Sequence, residues 1–236
     1  MAKPYSQSAW DAASPLISVT EKHPFLVSMV NGTLDLINFR YYAIQDAFYL
    51  TDFSDCLHRL GDRIMAEWKD ETLSKRLHQF GTTAEEDEKE LHRSFFKHWN
   101  IDASDAKVMP NTLLYTSYML RVVATRPIAE GLAVLLPCFW IYHHVGQVML
   151  ELRDKLGDSV NRPPQFDAWI DMYAGEDFER EVKEYIQIVD DAAAKSADKE
   201  ILKQMEEHFI MSCKLEHMFW DQAAELMQWP QFSESK

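Results

Sequence analysis

Residues 128–150, IAEGLAVLLPCFWIYHHVGQVML, are apolar on every side of a helix, with Glu130, His143, His144 and Gln147 as the polar interruptions and Pro137 at the centre. A helix of that kind has no face to turn toward water, so it must be enclosed by lipid or by other helices. An acid, two imidazoles and a proline inside the stretch point to enclosure by protein. The rest of the chain must then supply a shell, and this one requirement narrows the fold more than any other feature.

The remaining sequence can supply a helical shell. Of 236 residues, 47% are apolar, but only 7 are Gly and 9 are Pro. Few turn residues mean few turns, which favours long helices over many short strands. No stretch shows the period-2 alternation of a half-buried strand, and no repeat, linker or composition break divides the chain. One all-α domain over residues 1–236 is the expectation.

Punctuation marks the helices. Residues 6–29 read as helical with possible interruptions at Pro15 and at His23-Pro24, and Asn31-Gly32-Thr33 reads as a turn. Asp35 is placed to cap a helix over 36–60. A helix follows from Arg63 or Trp68 to Phe80. Thr83 with Glu86 resembles a capping box opening a helix to Trp99. Residues 102–110 read as a loop, Asn111 caps a helix to 124, and Arg126-Pro127 opens the apolar helix, which should run to Leu156. Shorter helices over 166–173 and 177–194 precede a last long one over 197–228.

Charge and cysteine usage remove several function classes. The net charge is −14, with 38 acids against 24 bases, and no basic cluster stands ready to neutralise nucleic-acid phosphates. Cys56, Cys138 and Cys213 are widely spaced, without a C-x-x-C pair, so neither a disulfide framework nor a zinc knuckle is indicated. The amino terminus lacks the apolar segment of a signal peptide. A cytoplasmic protein is expected, without nucleic-acid or membrane partners.

Three spacings could carry chemistry. Tyr42, Asp46 and Tyr49 share one helix face at i, i+4, i+7, which puts an acid between two phenols. Cys138 and Tyr142 share a face at i, i+4 on the apolar helix; the alternative is a thiol serving as a small core hydrophobe. Glu216 lies one turn from Phe219 and Trp220, where burial against aromatics would raise its pKa, or else it sits on a solvated face. Glu85, Glu88 and His92 have ligand-type spacing within a charged run that reads as a solvated face.

Six segments in order carry a resemblance: HPFLVSMVNGTL (23–34), FRYYAIQDAFYL (39–50), YTSYM (115–119), LLPCFWIYHHVG (135–146), WIDMYAGEDF (169–178) and LEHMFW (215–220). Together they resemble the TenA family of thiaminase II or aminopyrimidine aminohydrolase proteins, in its cysteine-containing branch. The resemblance implies a helical bundle of the haem-oxygenase-like type and hydrolysis of an aminopyrimidine, or of thiamin, in thiamin salvage. It implies Cys138 as nucleophile, Glu216 as proton donor and Tyr49 as activator of the thiol. Asp46 would bind the pyrimidine, with Tyr115, Tyr142, Tyr173 and Phe219 as the aromatic pocket. It further implies a homotetramer, and no metal or organic cofactor.

Two other readings compete. The same helical architecture hosts di-metal oxidases, and Glu88, His92 and Glu216 could be recruited as ligands. The other is a non-catalytic regulator that binds a pyrimidine without turning it over.

Overall fold

The computed structural model describes residues 3–88, 106–196 and 198–231, and all regular structure among them is helical. The helices are α1 (Tyr5–Thr20), α2 (Pro24–Val30), α3 (Leu36–Arg63), α4 (Glu71–Thr83), α5 (Pro110–Thr125), α6 (Ile128–Leu156), α7 (Pro164–Ala174), α8 (Glu176–Lys195) and α9 (Lys199–Glu225).

The apolar stretch is α6, and it sits where its composition demands. Every residue from Ile128 to Phe139 is buried, Glu130 included. Helices α5, α7, α8 and α9 pack around it, with α2 and α3 touching it as well. By length and composition α6 could cross a membrane, yet 83% of its most apolar stretch is enclosed by the protein itself. Burial of Leu132, Leu135 and Leu136 contributes on the order of 2 kcal/mol each. The shell helices show the matching stripe: α8 buries Val182, Tyr185, Val189 and Ala193, three or four residues apart.

Helix α9 runs parallel to α6 at a constant offset of 78 residues. His208 Nε2 meets Glu130 Oε2 at 3.0 Å, and Ser212 Oγ donates to the Val134 carbonyl at 2.8 Å. Two turns on, the rings of Tyr142 and Trp220 lie 5.3 Å apart. The intervening step of this ladder is Cys138 and Glu216. Pro137 has no N–H to give the preceding turn. The carbonyl it cannot serve is that of Ala133, and the carbonyls on either side of that one take side-chain donors: Tyr185 OH donates to Leu132 at 3.2 Å, and Ser212 Oγ to Val134 at 2.8 Å.

Several boundaries differ from expectation for identifiable reasons. Pro15 does not interrupt α1, because Ser14 Oγ donates at 2.8 Å to the Asp11 carbonyl that Pro15 cannot serve. The break comes instead before Pro24, with His23 as N-cap. Asp35 caps α3 as expected, its side chain accepting from Ile37 N at 3.0 Å. Thr83 opens nothing: α4 runs through it into a wider turn at Ala84–Glu88, and the residues from 89 toward Trp99 lie outside those described. Asn111 caps nothing either. Pro110 occupies the first turn of α5, and Asn111 Nδ2 reaches across to the Met218 carbonyl at 2.9 Å.

Candidate active site

Five helices bring the predicted residues together in the interior. Asp46 and Tyr49 come from α3, Tyr115 from α5, Cys138 and Tyr142 from α6, Tyr173 from α7, and Glu216 and Phe219 from α9. All eight are buried. Asp46, Tyr49, Leu50, Cys138, Tyr142 and Tyr173 line a small, nearly closed cleft. Tyr115, Glu216 and Phe219 pack beside these residues. The rings of Tyr115 and Phe219 pack at 5.0 and 5.7 Å from that of Tyr49.

Local stitching explains why α5 and α9 meet at this point. Gln222 Nε2 donates to Thr112 Oγ1 at 2.8 Å, and its oxygen accepts from Thr112 N at 3.3 Å. With the Asn111 bond to Met218, these anchor the start of α5 beside the Glu216–Phe219 turn. Gln45 does the same for the chain entering α5, bonding Lys107 O and Met109 N at 2.9 Å each.

The polar atoms form a connected set in an apolar, aromatic surround. Tyr115 OH donates to Glu216 Oε1 at 2.7 Å. Tyr49 lies within hydrogen-bonding reach of both Cys138 and Tyr115. Burial lifts the Glu216 carboxyl to about 8; the bond from Tyr115 opposes this and the charge of Asp46 adds to it. Near neutral pH Glu216 therefore carries a proton it can give away. Burial also holds the hydroxyls of Tyr49, Tyr115 and Tyr142 well above the ordinary phenol range, so all three remain donors.

Cys138 differs in setting from the other two thiols. Cys56 and Cys213 are enclosed by core, and burial pushes both of their pKa values up, which suppresses the thiolate. Cys138 faces the cleft. Chemically, the arrangement offers a thiol, a protonated carboxyl, an acidic anchor at Asp46 and flat aromatic walls.

Sequence reading missed part of this surround. Leu50 lines the cleft and lies one turn from Asp46, so the same periodicity finds it. Trp169 Nε1 donates to Tyr42 OH at 3.1 Å, and Tyr42 in turn lies 3.3 Å from Tyr142 OH. No spacing links those three residues; only the fold does.

One group of described side chains has the makeup of a metal site: His23, His217 and Asp221, whose ligand atoms lie within 4.8 Å of one another. Its hydrogen bonding points elsewhere. His23 Nδ1 accepts from Phe25 N at 3.1 Å, which places the imidazole proton on Nε2, where it is donated to Asp221 Oδ1 at 3.0 Å. A metal would need a lone pair where that proton sits. Of the ligands considered from sequence, His92 and the side chain of Glu88 lie outside the described residues, while Glu216 is engaged by Tyr115.

Comparison with known proteins places this geometry in context. The sequence profile described as the TENA/THI-4/PQQC family matches residues 10–226. The chain is 32% identical to an aminopyrimidine aminohydrolase of Bacillus subtilis, over 95% of this chain and 92% of that protein. It is 26% identical to part of a thiamine biosynthesis multifunctional protein of Corynebacterium efficiens, over 94% of this chain and 28% of that one. Among solved structures, a TenA homologue from P. horikoshii superimposes with a TM-score of 0.83 at 23% identity, covering 94% of this chain and 99% of the other. A domain with a heme oxygenase-like fold from Shewanella denitrificans gives 0.70 at 13% identity, covering 93% and 90%. These two likenesses speak to the fold.

Proposed function

The chain belongs to the TENA/THI-4/PQQC family, and from that premise we propose that it is an aminopyrimidine aminohydrolase of thiamin metabolism, acting through a covalent bond to Cys138. The observation that carries the reading is the pairing of the cleft-facing Cys138 with a Glu216 held protonated near neutral pH, on adjacent helices in register. The name of the Bacillus relative supports the substrate class, and that of the Corynebacterium relative supports a place in thiamin metabolism.

In this reading the flat ring enters between Tyr49, Tyr142 and Tyr173, whose π-faces suit a π-rich heterocycle. Asp46 accepts hydrogen bonds from the exocyclic amine and the protonated ring nitrogen. Cys138 Sγ adds to a ring carbon, and Tyr49 stabilises the thiolate that does so. The displaced electrons expel the amine from the exocyclic methylene while Glu216 delivers its proton, releasing ammonia. Water then bonds to the methylene, Glu216 takes back a proton, and Sγ leaves. The sum is aminomethyl-pyrimidine plus water giving hydroxymethyl-pyrimidine plus ammonia.

The preferred substrate in this reading is 4-amino-5-aminomethyl-2-methylpyrimidine, in line with the name of the Bacillus subtilis relative. Ammonia release measured with that compound against thiamin tests it. Turnover of the single ring at the higher kcat/KM is expected, and absence of ammonia from either would overturn the proposal. A cytoplasmic homotetramer belongs to the same proposal. The tetramer draws support from Leu113 and Leu114, neighbours on α5 that are 45% and 50% exposed.

A further inference from the structure

Tyr173 roofs the cleft, yet it is the penultimate residue of α7, where a helix normally frays. The last carbonyls of a helix have no N–H partner within it. In α7 two of them are taken by a single face of α6. His143 Nδ1 lies 3.0 Å from the Tyr173 carbonyl, and Gln147 Nε2 donates to the Ala174 carbonyl at 2.9 Å. A carbonyl only accepts, so His143 holds its proton on Nδ1.

Between these donors stands Gly146. A Cβ there would lie 2.7 Å from the Tyr173 carbonyl carbon and 2.9 Å from Ala174 N. Contacts that short with backbone leave no flexible atom to yield. Two donors one turn apart, with a missing side chain between them, thus dock the α7–α8 corner directly onto α6, one turn beyond Tyr142. The Tyr173 ring is left 4.8 Å from that of Tyr142 and 5.3 Å from that of Phe178. The corner separates two spaces. Tyr173 lines the inner cleft, whereas its neighbours Met172, Gly175 and Phe178 line an open outer cleft of about 900 Å³.

We infer that His143, Gly146 and Gln147 are positioning residues that cap α7 from outside and so fix Tyr173 as the roof over Cys138. The substrate consequence rests on the hydrolase reading above; the roof itself does not. None of the three lines the cleft, so their effect on turnover passes through Tyr173.

The test uses full-length Gly146→Ala, His143→Ala/Gln147→Ala and His143→Asn, the last of which keeps an N–H donor near the Nδ1 position. One readout is kcat and KM for aminopyrimidine hydrolysis. The other is the rate at which iodoacetamide alkylates each cysteine, followed peptide by peptide, with Cys56 and Cys213 reporting any general loosening. In Gly146→Ala and the double variant, KM should rise about tenfold, in line with the loss of one or two hydrogen bonds, with a smaller change in kcat. Alkylation of Cys138 should accelerate while Cys56 and Cys213 keep their rates, and His143→Asn should stay close to wild type. Should Gly146→Ala not fold, the double variant carries the test. An unchanged Cys138 rate, a common acceleration of all three thiols, or an unchanged KM overturns the inference. If the wild type does not hydrolyse the aminopyrimidine, the hydrolase reading fails, and the alkylation pattern still decides the roof.

Discussion

Tyr115 and Glu216, 101 residues apart in sequence, share a hydrogen bond of 2.7 Å between buried oxygens on α5 and α9. The carboxyl it reaches is buried and also feels the charge of Asp46. The bond opposes the effect of burial, and Glu216 still titrates at about 8.

Glu216→Gln should abolish proton donation and lower kcat at least about 100-fold. In the wild type, activity should decline as pH rises through about 8, because only the protonated form donates. Stability follows the same sign. The native state keeps a proton that the unfolded chain releases above about 4.5, so stability is greatest at low pH and falls as pH rises between those values. Glu216→Gln should flatten the dependence of Tm on pH across that window. A slope equal to that of the wild type would remove Glu216 as its source.

Tyr115→Phe should move the alkaline limb of the pH–rate profile upward, since the bond it deletes is what favours the charged carboxyl. The stability cost should be about 1 kcal/mol. A limb that stays in place or shifts to lower pH would contradict this assignment.

Cys138→Ser should fold with a Tm within a few degrees of wild type, because the volume change is small. Turnover should fall by about three orders of magnitude or more, since a serine hydroxyl does not supply the anion a thiol can. Wild-type turnover from the purified variant would mean that Cys138 is not the nucleophile.

Glu130→Ala should destabilise the protein, because it breaks the step that ties α6 to α9. Glu130 accepts from Arg126 at 2.8 Å and pairs with His208 at 3.0 Å, and His208 continues to Tyr118 at 2.6 Å. Arg126, 40% exposed, regains water when Glu130 is removed, so the cost falls on the buried His208, which loses its hydrogen-bond partner, at about 1–3 kcal/mol. Denaturant unfolding measures it directly. A loss below about 1 kcal/mol would show that this step does not hold α6 and α9 in register.

Light scattering at micromolar protein should give the mass of four chains rather than the 27.6 kDa of one. Leu114→Glu, which charges an exposed apolar position on α5, should shift the distribution toward smaller species. A wild-type monomer that persists as concentration rises would refute the tetramer.

Local information sufficed for much of this architecture. An unbroken apolar stretch can be satisfied only by enclosure, so α6 and its shell were legible from composition alone. Periodicity also put Asp46 with Tyr49, and Cys138 with Tyr142, on common faces, because helical spacing of three or four residues is a property of the backbone. The Asp35 cap and the turn at Gly32, whose φ is +69°, depend on neighbouring residues in the same way. The role of Pro15 was not legible, because tolerance of that proline depends on which way the Ser14 hydroxyl turns.

What tertiary structure decided is everything that depends on which faces meet. The offset of 78 residues between α6 and α9 sets Cys138 and Glu216 on the same step of the ladder, and no sequence spacing encodes that number. The raised pKa of Glu216 needs its burial and the hydroxyl of Tyr115, which arrives from another helix. The roof at Tyr173 needs two side chains and a glycine of α6. Helix formation is local because its hydrogen bonds close within four residues. The chemistry of the cleft is not, because desolvation and charge coupling act through space between groups the chain holds about a hundred residues apart.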